Sequence, residues 1–312
     1  MQVVREFRDV PASVRGGVLT IGNFDGVHRG HQVVIASVRR LALELGAPAG
    51  VMLFDPHPRA FLQPGFHPFT LTPLSYRLEL LAALGLDFAA VLPFGAELAA
   101  LTARDFIADV LVAGFAVRHL VTGYDFNFGK GRAGDNALLE AEGKRLGFGV
   151  TIQQPEQDGE AAYSSSRIRE ALRAGDVTEA ARQLGRPWRV DGIVIAGAGR
   201  GVGLGYPTAN IALPPGTELA HGIYAARVWI GGAPHSAVAY LGRRPTFDGG
   251  APMFETFLIG YDGNLYGKTI GIELVAFIRP DKGFANAEAL KAQMDRDVAE
   301  AIAHLRLDAV RP

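Results

Sequence analysis

The sequence predicts an α/β domain followed by an all-β domain that ends in one long helix. Three observations carry this reading. Residues 17–154 alternate short apolar runs with helical patterns, the mark of a parallel sheet covered on both faces. From residue 188 to 278 the texture changes to β-rich runs separated by glycine and proline, the mark of a sandwich or barrel. The length of 312 residues also exceeds the usual single domain. The texture changes at Leu184-Gly185-Arg186-Pro187, which divides the chain into residues 1–185 and 186–312.

In the first domain strands are expected at 17–21, 50–54, 88–92, 119–122 and 148–153, and helices at 30–45, 73–84, 103–113 and 136–146. Thr72-Pro73 reads as an N-cap with proline at the first helical position, and Gly85 as the stop. Thr102 with Asp105 resembles a capping box. Residues 170–185 read as a helical connector interrupted at Gly175-Asp176. In the second domain strands are expected at 190–195, 224–230, 236–240, 254–259 and 270–277. A final helix fits 287–305, where Leu290, Met294, Val298, Ile302 and Leu305 fall near helical spacing.

Composition narrows the function. Net charge is −1, with 18 basic against 20 acidic residues in 1–185 and 13 against 12 in 186–312, so neither half is a nucleic-acid or membrane-surface module. There is no cysteine, hence no disulfide framework, thiolate nucleophile or cysteine-held metal. The first residues lack a signal-peptide core, and no apolar run reaches the ~18 residues of a transmembrane helix. A soluble, cytoplasmic protein is expected.

In open α/β sheets ligands bind at the carboxyl ends of the strands, and the polar segments fall there. After the first strand comes Gly22-Asn23-Phe24-Asp25-Gly26-Val27-His28-Arg29-Gly30-His31. If a helix begins near His28, both imidazoles share its first turn. Helix starts carry unpaired N–H groups and a positive dipole end, and glycines admit a phosphate to the backbone. Two imidazole donors beside such a site suit developing phosphate charge. Any one of these histidines could equally be an ordinary surface residue. After the second strand, prolines in Phe54-Asp55-Pro56-His57-Pro58 present His57 on an extended loop. After the fourth lies Gly123-Tyr124-Asp125-Phe126-Asn127-Phe128-Gly129, whose aromatics could stack on a planar ring or fold into the core. Ser164-Ser165-Ser166-Arg167-Ile168-Arg169 could cap a helix and reach phosphate with its arginines.

The second domain opens with Gly197-Ala198-Gly199-Arg200-Gly201-Val202-Gly203-Leu204-Gly205-Tyr206-Pro207-Thr208-Ala209-Asn210. Alternating glycines leave bare backbone able to wrap a phosphate chain. No G-K-[ST] follows, so this is not a Walker A loop, and the segment itself does not contain G-x-G-x-x-G, so a dinucleotide fold is not supported here. Thr208 and Asn210 share one face if extended, and both offer oxygens suited to Mg²⁺.

These segments resemble two families joined in one chain. G-x-F-D-x-x-H-x-G-H is similar to the nucleotidyltransferase signature; with F-D-P-H-P, G-x-D-F-x-F-G-x-x-x-x-G-D and S-S-x-R-I-R it resembles the FMN adenylyltransferase module of bacterial riboflavin kinase/FAD synthetases. G-R-G-x-x-L-G-Y-P-T-A-N, Gly222-Ile223-Tyr224, Leu241-Gly242-Arg243-Arg244-Pro245-Thr246-Phe247 and Leu265-Tyr266-Gly267 resemble the flavokinase module. The resemblance implies a Rossmann-like nucleotidyltransferase domain followed by a six-stranded β-barrel. It implies that ATP is held by Gly22, Phe24, Asp25, Gly26, His28, His31, Ser165, Arg167 and Arg169 in one module and by Gly199, Gly201 and Gly205 in the other. His28 and His31 would be catalytic, and the flavin would meet His57, Asp125, Phe126, Phe128 and Gly129. Mg²⁺ would sit on Thr208 and Asn210, and Glu255 would be the kinase base. Riboflavin, FMN, FAD and ATP are the implied substrates and products. Ser166 stands where threonine is common, Tyr240 where asparagine is usual, and Asn264 where aspartate is usual. A chain with one live activity, a flavin-binding regulator, and adenylylation of another acceptor such as nicotinamide mononucleotide are the competing readings.

Overall fold

A computed structural model describes residues 1–63, 65–66, 69–158, 161–197, 201, 203, 205–243 and 252–308. The chain forms two compact units, Met1–His67 with Thr72–Ser164, and Pro68–Leu71 with Ser165–Pro312.

The first unit runs β1 (Gln2–Val4), β2 (Val18–Ile21), α1 (Arg29–Leu45), β3 (Ala49–Asp55), α2 (Pro58–Leu62), α3 (Leu74–Ala83), β4 (Phe88–Pro93), α4 (Ala96–Ala100), α5 (Ala103–Asp105), a π-helical stretch (Phe106–Gly114), β5 (His119–Gly123), α6 (Asn136–Leu146), β6 (Gly149–Gln153) and a small ribbon, β7 (Gln157–Asp158) with β8 (Ala161–Ala162). Six parallel strands lie in the order β1-β4-β3-β2-β5-β6. The five expected strands form as read, and β1 extends the edge; three residues are too few for a periodicity to announce them.

Side chains alternate across this sheet. Leu19, Met52, Phe88 and Leu120 pack with Phe106, Ile107 and Leu111 on one face. Val18, Val51, Ala89 and Val121 pack with Ile35 and Val38 of α1 on the other. Two covered faces explain why the strands read as continuous apolar runs. The order reverses between β2 and β5, which makes their carboxyl ends the switch point where such sheets bind ligands.

Two helix ends differ from expectation. Pro73, not Thr72, occupies the N-cap of α3, without a side-chain cap bond. Thr72 is buried, and its N–H is taken by Asp25 Oδ1 at 3.0 Å. The helix begun at Ala103 is capped by Thr102 as read, but from Phe106 it winds as a π-helix.

The second unit runs α7 (Ser165–Ala174), α8 (Val177–Leu184), β9 (Trp188–Ile193), β10 (Thr208–Ala212), β11 (Gly222–Ile230), β12 (Ala233–Arg243), β13 (Pro252–Leu258), β14 (Thr269–Pro280) and α9 (Ala287–Asp308). Its six strands pair antiparallel in the order β10-β13-β12-β11-β14-β9. The two ends of the sheet meet where Ile195 N–H donates to Asn210 O at 2.9 Å, closing the barrel. Strand β10 lies within the segment that reads as a glycine loop in the sequence; in Thr-Ala-Asn-Ile-Ala the only large apolar residue is Ile211, too little to announce a strand.

The barrel interior holds Val190, Ile211, Tyr224, Phe254 and Ile272, and Ile168, Leu172, Val177 and Leu184 of α7 and α8 join this core. Phe69 and Leu71 belong to it too: Trp188 Nε1 donates to Leu71 O at 2.9 Å and Arg169 Nε to Phe69 O at 2.6 Å. On the outer face Ala301 and Leu305 of α9 cover Ala225 and Ala276. No helix among the described residues is long and apolar enough to cross a membrane.

Candidate active sites

In the first unit the segment after β2 is a strained turn. Phe24, Gly26 and Val27 have φ of 50°, 89° and 43°. For phenylalanine and valine that region is costly, so surrounding contacts must hold it. Those contacts are visible. Arg77 on α3 donates to Asn23 O at 2.8 Å and Thr72 O at 2.7 Å, and lies 3.4 Å from Asp25 Oδ1. Asp25 and Arg77 are both buried. The carboxylate of Asp25 therefore bonds to the frame of the turn.

The turn delivers His28 to the N-cap of α1, where Nδ1 accepts from His31 N–H at 3.4 Å. That bond leaves the proton of a neutral His28 on Nε2. The rings of His28 and His31 stack with centroids 3.6 Å apart, and Phe24 tilts against His31 at 4.8 Å. Gly30 suits this stack, since a Cβ there would come within 3.2 Å of the His28 ring and push it by a few tenths of an ångström. His31 Nδ1 is buried with no hydrogen-bond partner in the protein. Burial, then the neighbouring His28 and Arg77, hold the His31 pKa well below 6.5. The ring is thus neutral near pH 7 and still offers one N–H donor.

Two further loops reach the carboxyl ends of neighbouring strands. His57 caps α2 and bonds through Nε2 to Asn23 Nδ2 at 2.8 Å, linking the loop after β3 to the turn after β2. After β5, Phe128 and Gly134 exchange backbone hydrogen bonds at 3.0 and 2.9 Å, and Asp135 caps α6. This explains the Gly129–Gly134-Asp135 spacing as loop closure. Phe128 is buried against Phe106 in the core, so the core alternative describes this ring. Phe126 stacks on it at 5.4 Å and is half-buried, while Asp125 is exposed.

Ser165, Arg167 and Arg169 lie on α7 and belong to the second unit. There Arg167 lies 3.6 Å from Glu179, and Arg169 binds the Phe69 carbonyl. Tyr163, at the end of the first unit, places its Cβ beside Gly30.

In the second unit the pairing of strands sets the site. Asn210 on β10 stands directly opposite Glu255 on β13, which stands opposite Tyr240 on β12. The three side chains therefore share one face of the sheet. Asn210 is buried, and its amide donates to Thr208 O at 3.1 Å. Gly197 makes room for it, since a Cβ there would lie 2.3 Å from Asn210 Nδ2. Gly201 and Gly205 flank the turn into β10; Gly199 lies outside the described residues. Beside Thr208 a cavity of about 260 Å³ is lined by Val194, Leu258, Tyr261, Leu265 and Tyr266. Asn264 also lines it, its Oδ1 accepting from Tyr266 N–H at 3.0 Å.

Comparison with known proteins gives the family. Residues 10–167 match the FAD synthetase family and residues 184–305 the riboflavin kinase family. The bifunctional riboflavin kinase/FMN adenylyltransferase of Pseudomonas fluorescens is 39% identical over 302 residues, spanning 96% of this chain and 97% of its own. The chain belongs to the bifunctional riboflavin kinase/FMN adenylyltransferase family. The member from Escherichia coli K12 is 38% identical, covering 95% of this chain and 96% of its own, and that from Bacillus subtilis 35%, covering 91% of each. A solved structure described as a macrolide-efflux protein from Streptococcus pneumoniae superposes with a TM-score of 0.85 at 30% identity, covering 95% of this chain and 96% of that one.

The sequence gives no sign of the contacts that Arg77, Asn23 and Tyr206 make. Each acts through a backbone carbonyl or a distant side chain, for which sequence spacing carries no signal.

Proposed function

We propose that the chain makes FAD from riboflavin in two ATP-dependent steps at two sites, one in residues 186–312 and one in residues 1–185. The first step phosphorylates riboflavin to FMN, and the second adenylylates FMN with release of pyrophosphate. Family membership over nearly the whole length supports both reactions. For the kinase step the observation that carries the assignment of residues is the register that sets Asn210 opposite Glu255.

In the kinase step Glu255 accepts the proton as the riboflavin hydroxyl oxygen bonds to the γ-phosphorus, and the bond from that phosphorus to the ADP oxygen breaks. Thr208 and Asn210 would hold Mg²⁺, which would supply charge neutralisation on the phosphates. The fit is to a hard cation served by two neutral oxygens, with the remaining ligands from phosphate and water. Among the described residues no group of three or more histidines and carboxylates could hold a metal by itself. Gly199, Gly201 and Gly205 pass the phosphate chain along bare backbone.

In the adenylylation step the FMN phosphate is already an anionic nucleophile, so no protein base is needed. Its oxygen attacks the α-phosphorus of ATP and pyrophosphate leaves. His28 and His31 donate to the phosphate oxygens from the start of α1, and the backbone N–H groups there add to the same field. Gly22, Phe24 and Gly26 give the turn its shape, with Asp25 as its anchor. Ser165, Arg167 and Arg169 are assigned to ATP on the S-S-x-R-I-R resemblance alone. His57, Asp125, Phe126 and Gly129 face the flavin, with Phe128 supporting Phe126 from the core. The chain works in the cytoplasm.

The direct test is incubation with riboflavin and MgATP while FMN and FAD are resolved over time. Sequential accumulation of FMN and then FAD is expected. A chain that makes FMN and never FAD, or FAD only from supplied FMN, has one live site.

A further inference from the structure

The glycine turn and β10 are joined at Tyr206, whose contacts run in three directions. Its N–H donates to Gly201 O at 2.8 Å, and the backbones are so close there that a Cβ at Gly201 would lie 2.1 Å from Tyr206 O. Its ring packs edge-on against Phe257, with centroids 4.9 Å apart. Its hydroxyl donates to the Asp295 carboxylate on α9. Thr208 follows Tyr206 by two residues, and Phe257 follows Glu255 by two. Tyr206 therefore touches both strands that carry the kinase residues, and it is buried.

A second tie runs from the other side. Tyr240, opposite Glu255, donates its hydroxyl to Asp281 Oδ2 at 3.0 Å. Asp281 begins the connection between β14 and α9. Between the two ties the same stretch is locked to the barrel by Arg279, which grips buried Asp297 at 2.9 and 2.7 Å. Gln293 donates to Asp297 at 2.8 Å and accepts from Lys282 Nζ at 2.7 Å. The amino-terminal half of α9 and the connection that leads into it are thus braced, and they take one tyrosine tie each: Tyr206, against Phe257 on the Glu255 strand, and Tyr240, opposite Glu255 on the neighbouring strand.

We propose that Tyr206 is a positioning residue of the kinase site, anchoring the glycine turn and Thr208 to α9 through Asp295, with Tyr240 and Asp281 bracing the opposite flank. The inference rests on the assignment of the kinase step to Thr208, Asn210 and Glu255. A tyrosine is needed because the anchor must fill the gap against Phe257 and still reach a carboxylate beyond it; phenylalanine supplies only the first part. The consequence falls on ATP, because the turn that Tyr206 holds is the one that carries the phosphates.

The test is steady-state kinetics of the full chain for Tyr206→Phe, Asp295→Ala, the double variant and Asp295→Asn, with FMN adenylylation and melting temperature measured on each preparation. A hydrogen bond to a charged group sets the scale, so KM for ATP in the kinase step should rise at least about tenfold in Tyr206→Phe and in Asp295→Ala. The double variant should be no worse than either single one, since both remove the same bond. Asp295→Asn keeps an acceptor and should recover most of the loss. Adenylylation should be unchanged throughout. Unchanged kinase kinetics in Tyr206→Phe, additive losses in the double variant, or equal falls in both activities with a lowered melting temperature would each overturn the proposal. Glu255→Gln measured alongside separates the two readings. If it abolishes phosphorylation while Tyr206→Phe is normal, only the anchor is wrong; if it leaves phosphorylation intact, the kinase site and the anchor both fall.

Discussion

Arg77→Met removes the brace of the turn after β2 while nearly keeping side-chain volume. The guanidinium serves two backbone carbonyls, Asn23 O at 2.8 Å and Thr72 O at 2.7 Å, and the Asp25 carboxylate at 3.4 Å. Arg77 is 9% exposed and Asp25 7%, so water cannot replace the lost donors without opening the site. Breaking one side of a buried ion pair costs about 3–5 kcal/mol, because a charge is left without its partner. For a unit of this size each kcal/mol lowers the melting temperature by about 2–4 °C, so a fall of roughly 10 °C is expected in the unfolding of the first unit. The turn also holds Phe24 and Val27 in left-handed conformations that its contacts must sustain, so the loss should reach catalysis. Adenylylation of supplied FMN should fall at least about tenfold at a temperature where the variant is still folded, with riboflavin phosphorylation retained. Combining Arg77→Met with Asp25→Leu should be less damaging than the sum of the two, since both buried charges are then gone. Calorimetry with paired assays of both half-reactions decides it. A melting temperature within about 2 °C of the parent together with full adenylylation would refute the reasoning.

Four other outcomes follow from the same geometry. His31→Ala should lower FAD formation from FMN by about 10²-fold, the scale of losing a transition-state donor, and leave FMN formation untouched; equal rates in both assays would remove His31 from the site. The buried His31 titrates below its ordinary 6.5, so the unfolded chain binds more protons as pH falls through that value. Its contribution to stability is complete above that range and is lost as pH falls toward the folded pKa, so the decline in melting temperature on acidification should be shallower in His31→Gln. Glu255→Gln should slow riboflavin phosphorylation by about 10²–10⁴-fold, the usual loss of a general base, and spare adenylylation in the same preparation. Thr208→Ala and Asn210→Ala should raise the Mg²⁺ concentration needed for half-maximal phosphorylation; normal rates at limiting Mg²⁺ in both would place the metal elsewhere.

The elements with strong periodicity or marked ends were legible in the sequence. The strands around Leu19, Val51, Ala89 and Val121 are apolar on both sides because helices cover both faces, and they read as such. Strand β10 did not, because the polar Thr208 and Asn210 and two small alanines leave Ile211 as its one large apolar residue. The spacing of His28, Gly30 and His31 pointed to a helix start, and its meaning is now specific: glycine leaves room for one imidazole to lie on the other. The aromatic loop was only half legible, since nothing in Phe126-Asn127-Phe128 says which ring turns inward. The braces were silent. Arg77 looks like any arginine on a helix, and its role depends on carbonyls that a sequence does not display.

The membership of Phe69 and Leu71 in the second unit bears on how this enzyme can be taken apart. They precede that unit's main stretch by almost a hundred positions, yet Leu71 supplies the acceptor for the Trp188 indole, and both side chains lie in the same core as Ile168 and Leu184. No single cut in the gene releases the unit intact. A fragment starting at Arg186 strands a buried indole N–H and strips α7, α8 and the Phe69–Leu71 strap from the barrel wall. The two catalysts are interleaved along the polypeptide, and point substitution rather than dissection is the route to studying either one alone.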